Sequence, residues 1–232
     1  MALQNTRHQD AVDSIARWIV RNRFGAEGTL PNEADLGAEL GVSRTVVREA
    51  VRTLTAKGMV SPRPRHGTRI QPLENWQLLD AQVVAWRTEA GMSPNVIGDL
   101  IDFRLAIEPF AAERAAKRTD FPIAVLEAAY TGMAAAADLE QVFTEADLAF
   151  HATILRGTQN SYFTHLIPFV ENALRLSFRL SIRAPEDAHR ALPFHRAVIE
   201  AIAARDSARA REAMTILVEQ ARTDMLDGIA ED

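Results

Sequence analysis

Cysteine is absent from all 232 residues, which excludes a disulfide framework and a thiolate metal site and is compatible with a reducing interior. No apolar run reaches the roughly eighteen residues of a membrane span, and the opening stretch MALQNTRHQD has no signal-peptide core, so the expectation is a cytoplasmic protein without membrane contact. Alternation typical of strands is missing over most of the chain. There is no phosphate loop of the G-x-x-x-x-G-K type, no nucleophile elbow and no internal repeat, which removes the simplest routes to a nucleotide-dependent or acyl-transfer enzyme. An overall excess of positive charge is missing too. The net charge is -5, which taken alone argues against a nucleic-acid partner.

What is present reverses that last inference. Residues 1–70 carry a net charge of +4 and the remainder -9, so a basic amino-terminal part is joined to an acidic body. A chain of this length accommodates two modest domains. We expect one at 1–70, a linker at 71–75, where QPLEN has no periodicity and carries a proline, and a second domain at 76–232. Apolar positions at Ala11, Val12, Ile15, Ala16, Ile19 and Val20 predict an amphipathic helix over 8–23, ended by Gly25 and Gly28. Asn32 can cap a short helix that carries Leu36 and Leu40 and is broken by Gly41. Ser43 can cap a second helix running to about Lys57, with Val46, Val47, Ala50, Val51 and Leu54 as its buried stripe. The opposite face then shows Arg44, Thr45, Arg48 and Arg52 to solvent. A helix of this kind fits the DNA major groove, where arginine pairs with guanine edges. Val60 to Ile70 would add a hairpin wing joined by a short strand at Thr29 and Leu30, its tip formed by Arg65, His66 and Gly67. The plainer alternative is a helical hairpin with a solvated charged face, and the turn, stripe and basic tip together favour DNA.

The run Leu30-Pro31-Asn32-Glu33, the core GVSRTVVREA from Gly41 to Ala50 and the ending RPRHGT from Arg63 to Thr68 resemble the winged helix of the GntR family of bacterial repressors. The resemblance implies that Arg44, Thr45 and Arg48 are the main recognition-helix contacts, with His66 and Gly67 at the wing tip. Ala34 stands where many family members carry a DNA-contacting arginine, so operator sequence or affinity would differ accordingly.

Beyond Trp76 the signals are helical. Ser93-Pro94 predicts a helix to Lys117 or Arg118, and others are expected at 122–138, 140–157, 160–183, 193–204 and 206–228, giving an antiparallel bundle of six or seven helices. The segment from Trp76 to Trp86 predicts a short helix that lies on this second domain and joins it to the first. Asp147 and His151 are four apart and share a helix face, with apolar neighbours Leu148, Phe150, Ile154 and Leu155. Such a pair serves either as a hydrogen-bonded couple or as two ligands of a metal, and His195 alone reads as a satisfied core or surface histidine. Arg104 offers a bidentate clamp for a carboxylate or an ion pair with Glu108 at i+4.

This second part resembles the helical FCD effector domain of the FadR-like branch of the same family, through Arg104 in FRLAIEP, Asp147 and His151 in DLAFH, and His195 in FHRAVIEAIAARD. WQLLD from Trp76 to Asp80 and the following Val84-Ala85-Trp86 resemble repressors of sugar-acid catabolism, including galactonate regulators. The resemblance implies a metal held by an aspartate and three histidines. Asp147, His151 and His195 match three of these, and Leu217 stands at the fourth, so affinity should be lower or the effector and water must supply ligands. Imidazoles with a carboxylate suit zinc, nickel or manganese. Arg104 would bind a small carboxylate or sugar-acid effector, with Arg175 and Arg179 as weaker candidates.

The expected protein is mainly α: a winged helix-turn-helix followed by an FCD-type bundle. It would bind a pseudo-palindromic double-stranded operator as a homodimer, because one reader spans too few base pairs for specificity. A metal-dependent enzyme built on the same Asp/His/His set and a ligand-independent architectural DNA protein are the alternatives. The first lacks a further acid/base pair, and the second leaves the acidic body without a purpose.

Overall fold

Asn32 sets the start of the first of two short paired helices. In the computed structural model, which describes residues 2–25, 28–89, 94–136, 140–181 and 185–230, its side-chain oxygen accepts from the backbone N–H of Ala34 and Asp35 and begins α2 (Glu33–Leu40). Gly41, at φ 65°, closes that helix in the left-handed conformation a Cβ would disfavour. Ser43 then accepts from Val46 N–H and begins α3 (Arg44–Ala56). These two helices follow α1 (Ala2–Val20) and the two-residue strand β1 (Thr29–Leu30), and lead into β2 (Val60–Arg63) and β3 (Gly67–Ile70). The sheet order is β1-β3-β2, all antiparallel, with Val60 opposite Ile70 and Thr29 opposite Arg69. Here α1 is longer at its start and shorter at its end than the expected 8–23, because Asn22 takes a positive φ and turns the chain back.

The apolar stripes of the three helices meet. Val12, Ile15 and Ala16 of α1 pack with Leu36, Val47, Ala50 and Leu54, all almost fully buried, and Met59, Val60 and Ile70 extend that core beneath the sheet. The short helix α4 (Ala81–Glu89) packs into the same core through Val83 and Trp86, so it joins the first domain as expected and is part of that unit's own core, whereas the expected boundaries count it with the second domain. The expected linker is likewise tied down. Gln71 N–H donates to Met59 O, Trp76 Nε1–H to Gln71 O and Gln77 N–H to Lys57 O, and residues Leu73–Asn75 form a 3-10 turn. Gly58 permits this docking. Its φ is +74°, and a Cβ there would lie 2.0 Å from Asn75 O. The chain accordingly divides into compact units at 1–91 and 92–232, later than the linker read from composition.

Asp80 fastens the docked segment. One carboxylate oxygen caps α4 on the N–H groups of Gln82 and Val83, and the other meets Lys57 Nζ at 2.6 Å. Burial raises the Asp80 carboxyl, but Lys57 and the two N–H donors outweigh it and hold the group below its ordinary value. A carboxyl lowered on folding stabilises the fold above its unfolded value and loses that contribution as pH falls through the folded one. Asp80→Ala removes the cap and leaves Lys57 without its carboxylate, so we expect about 1–3 kcal/mol of destabilisation. Trp18, Trp76 and Trp86 are the three tryptophans and all lie in this unit. A tryptophan-fluorescence urea midpoint unchanged in Asp80→Ala would contradict the assignment.

The second unit contains α5 (Pro94–Ala116), α6 (Ile123–Ala135), α7 (Glu140–Gly157), α8 (Ser161–His165), α9 (Ile167–Ser181), α10 (Pro185–Ala203) and α11 (Ser207–Ala230). The helix expected at 160–183 is broken at Leu166. Pro168 lacks an N–H and is seated where it belongs, in the first turn of a new helix. Pro193, read as a helix start, sits instead inside α10 on its exposed side, so that helix begins eight residues earlier than expected. Ser93, the expected cap of α5, residues 137–138 of the expected helix 122–138 and residues 182–183 of the expected helix 160–183 lie outside the described residues. Helices α5, α7, α9, α10 and α11 surround a core of Ile97, Ile101, Ala112, Phe150, Ile154, Leu174, Val198 and Met214. Among the described residues no helix is long and apolar enough to cross a membrane.

Candidate functional site

Two sets of side chains stand apart from ordinary packing, one in each unit. In the first, the buried stripe of α3 turns Ser43, Arg44, Thr45, Arg48 and Arg52 outward, and all five are exposed. Arg48 is also engaged: its Nε and Nη2 donate to the Glu33 carboxylate at 3.0 and 2.7 Å. That contact draws the Glu33 carboxyl below its usual range, chiefly through the hydrogen bond. It occupies the Nε/Nη2 edge of the guanidinium and does not involve Nη1. Arg52 pairs with Glu49 one turn back. At the wing tip Arg65, His66 and Gly67 are exposed, with Arg65 and Gly67 both at positive φ, so the tip is a tight reversal with cationic side chains around it.

In the second unit, Arg104 and Glu108 lie one turn apart on α5, Asp147 and His151 one turn apart on α7, and His195 on α10. All five are buried despite their polarity. The ligand atoms of Asp147, His151 and His195 lie within 4.8 Å of one another. Each imidazole has its Nδ1 against an oxygen acceptor. His195 Nδ1 meets Ala191 O at 2.8 Å, and His151 Nδ1 meets Glu108 Oε2. A neutral ring whose proton is held there presents a bare Nε2 lone pair. Both Nε2 atoms face Asp147 Oδ1, at 2.7 Å from His195 and 3.7 Å from His151. At 2.7 Å the His195 Nε2–Asp147 Oδ1 contact is a hydrogen bond, so the three atoms act together as metal-type donors only when a divalent cation takes the place of that proton. Phe150 stands edge-on to both imidazoles, with centroids 5.4 and 4.9 Å away, and fixes their planes.

The electrostatics depend on Glu108. Burial pushes its carboxyl up, but the charges of Arg104 and His151 and the hydrogen bonds from both hold it at about 2. Asp147 is held low in the same way: burial opposes ionisation, and His151, His195 and Arg104 together overcome it. The expected Arg104–Glu108 ion pair exists, with Nε to Oε1 at 2.5 Å, yet Arg104 Nη1 is buried with no hydrogen-bond partner among the described residues. It borders a cavity of about 50 Å³, room for the head of a small acid, which Asp147, His151, His195 and Leu217 also line.

The structure corrects two of the named candidates. Arg175 and Arg179 lie on the exposed face of α9, Arg175 against Glu145, and neither lines the cavity. They share a face as their spacing requires, but the opposite face, with Leu174, Ser177 and Phe178, is the one turned inward. The contact between Glu108 and His151 spans 43 residues of sequence and was not foreseen, nor were the cavity residues Phe143, Gln220 and Asp224. Gln220 and Asp224 could have been found from Leu217, being three and seven positions along one helix face.

Residues 7–70 match the family described as bacterial regulatory proteins, gntR family, and residues 99–220 match the FCD domain. The uncharacterized HTH-type transcriptional regulator YieP of Escherichia coli is 34% identical over 221 residues, covering 94% of this chain and 95% of that one. The galactonate operon transcriptional repressor of E. coli is 28% identical over 89% of this chain and 91% of its own. The gluconate operon transcriptional repressor of Bacillus subtilis is 29% identical over 78% and 70%. Among solved structures, Streptococcus agalactiae GntR superposes with a TM-score of 0.51 at 24% identity over 93% of this chain and 99% of that one. For E. coli McbR/YncC the values are 0.55, 13%, 95% and 97%, so these two speak to the fold alone. The chain therefore belongs to the GntR family of bacterial regulators, in the branch that carries an FCD domain, and is a DNA-binding transcriptional regulator rather than an enzyme.

Proposed function

We propose that the first unit reads a double-stranded operator through Ser43, Arg44, Thr45, Arg48 and Arg52, with Arg65, His66 and Gly67 at the wing, and that occupancy of the second unit's cavity sets the affinity of that reading. Residues 92–232 would carry effector binding and dimerisation, and two copies would present two readers to a pseudo-palindromic site. Asp147, His151 and His195 would hold a divalent metal such as zinc, nickel or manganese, and when bound it supplies a Lewis-acid grip on a carboxylate and its adjacent hydroxyl. Arg104 Nη1 would take the same carboxylate, while Glu108 keeps the guanidinium and His151 oriented.

The observation that carries this reading is the buried guanidinium nitrogen without a partner among the described residues, beside three converging metal-type donors in one cavity. A group left unpaired in that position costs free energy that an anionic ligand recovers. The relatives named for galactonate and gluconate operons favour a sugar acid as that ligand and repression as the sense of regulation. The test is a mobility shift on the DNA upstream of the protein's own gene, in low salt, with each acid added. We expect a specific complex whose affinity changes about 5- to 150-fold with the effective acid, and by linkage the DNA complex should bind that acid with affinity altered by the same factor. Arg104→Ala should keep the complex and lose the response. Absence of any specific shift would refute the reading.

A further inference from the structure

We propose that Gln220 and Asp224 select the tail of the effector, favouring a hydroxylated monocarboxylate over a dicarboxylate of the same length. The inference rests on the ligand reading above and concerns the opposite end of that ligand. Helix α11 presents Leu217, Gln220, Ala221 and Asp224 to the cavity, at spacings of three, four and seven that form one face. Arg104, Asp147, His151 and His195 are 1–3% exposed and make up the buried side of the lining, the floor, whereas Gln220 and Asp224 are half-buried and make up its more exposed side, the mouth. The lining is therefore polar on both its buried and its more exposed side, with Phe143, Leu174, Phe178 and Leu217 among its apolar members.

The two sides differ in kind. At the floor the unpartnered Arg104 Nη1 is a donor that asks for an anion. At the mouth Gln220 Nε2 donates to Asp224 Oδ1 at 2.9 Å, and because a carboxylate only accepts, this fixes the Gln220 amide with its carbonyl oxygen free to accept. The second Asp224 oxygen is also an acceptor. The mouth thus offers acceptors and a negative charge. A terminal hydroxyl donates to it, and a terminal carboxylate is repelled by it.

The probe pair is galactonate and galactarate, which share a carbon chain and differ in carrying a hydroxyl or a carboxylate at the far end. Titration calorimetry of the full chain with equal zinc in every sample should show galactonate bound at least tenfold more tightly. Asp224→Asn, close in shape and at a half-exposed position, should unfold at the same temperature and narrow that preference at least fivefold, chiefly by admitting galactarate. Gln220→Ala, which frees the Asp224 carboxylate without removing its charge, should weaken galactonate while leaving galactarate excluded. A wild-type protein that takes both acids equally, or a preference unchanged by Asp224→Asn, overturns the selection by α11 and leaves the ligand reading standing. Binding of neither acid overturns both.

Discussion

Glu108→Ala should destabilise the second unit by about 3–5 kcal/mol, the cost of leaving one member of a buried ion pair behind. Arg104 is 1% exposed and has Glu108 as its ion-pair partner within the same helix. Deleting the carboxylate strands a guanidinium away from water and also removes the acceptor of His151 Nδ1. An ordinary exposed pair would cost below about 1 kcal/mol, so the magnitude itself discriminates. Because no tryptophan lies beyond residue 91, the loss should appear in far-UV circular dichroism and tyrosine fluorescence of Tyr130 and Tyr162 while the tryptophan transition is largely retained. Pairing Glu108→Leu with Arg104→Met should recover much of the stability, since neither member of that ion pair is then left without the other, and should still abolish the response to acids. A Glu108→Ala protein within about 1 kcal/mol of wild type would mean that the guanidinium finds water, and the case for an anion-seeking cavity would fail with it.

The second large effect belongs to α3. Arg44→Ala and Arg48→Ala should each weaken operator binding by about 5- to 150-fold per reader, the range of a bidentate arginine–guanine contact at 1–3 kcal/mol. They should also flatten discrimination between the operator and a scrambled duplex. Arg52→Ala should act differently. Lying further along the helix, it suits a phosphate contact, whose loss lowers binding to all sequences alike and reduces the salt slope by about one. Arg48 should respond to its neighbour as well. Glu33 holds the Nε/Nη2 edge and orients the guanidinium, so Glu33→Ala combined with Arg48→Ala should cost clearly less than the two losses added together. Equal losses on operator and scrambled DNA for Arg44 and Arg48 would show that this face contacts only the backbone.

The winged helix was legible in the chain because its determinants are local. Asn32, Gly41 and Ser43 act within three or four residues of themselves, and the stripe from Val47 to Leu54 follows from helical period alone, so outward exposure of Arg44, Thr45 and Arg48 followed without knowledge of what lay beneath. The bundle was legible as helices but not in its breaks. Pro168 and Pro193 give the same local signal, yet one starts a helix and the other is tolerated within one on an exposed side. The placement of α4 was misjudged because apolar residues declare that they will be buried, not against which partner. Trp86 and Val83 would satisfy either unit, and the backbone room at Gly58 decides for the first.

The amino-acid sequence by itself determined the fold class, the exposed basic face of α3, the absence of thiolate ligands and the pairing of Asp147 with His151, which follow from composition or from residues one or two turns apart. Only the tertiary structure decided that His195 joins that pair across 48 residues, that Glu108 serves Arg104 and His151 at once, that Arg175 and Arg179 face away, and that Gln220 and Asp224 border the cavity. The reason is physical. A helix fixes the angle between its own side chains, whereas which faces of different helices meet is set by the packing of the whole core, and no short stretch of sequence contains that information.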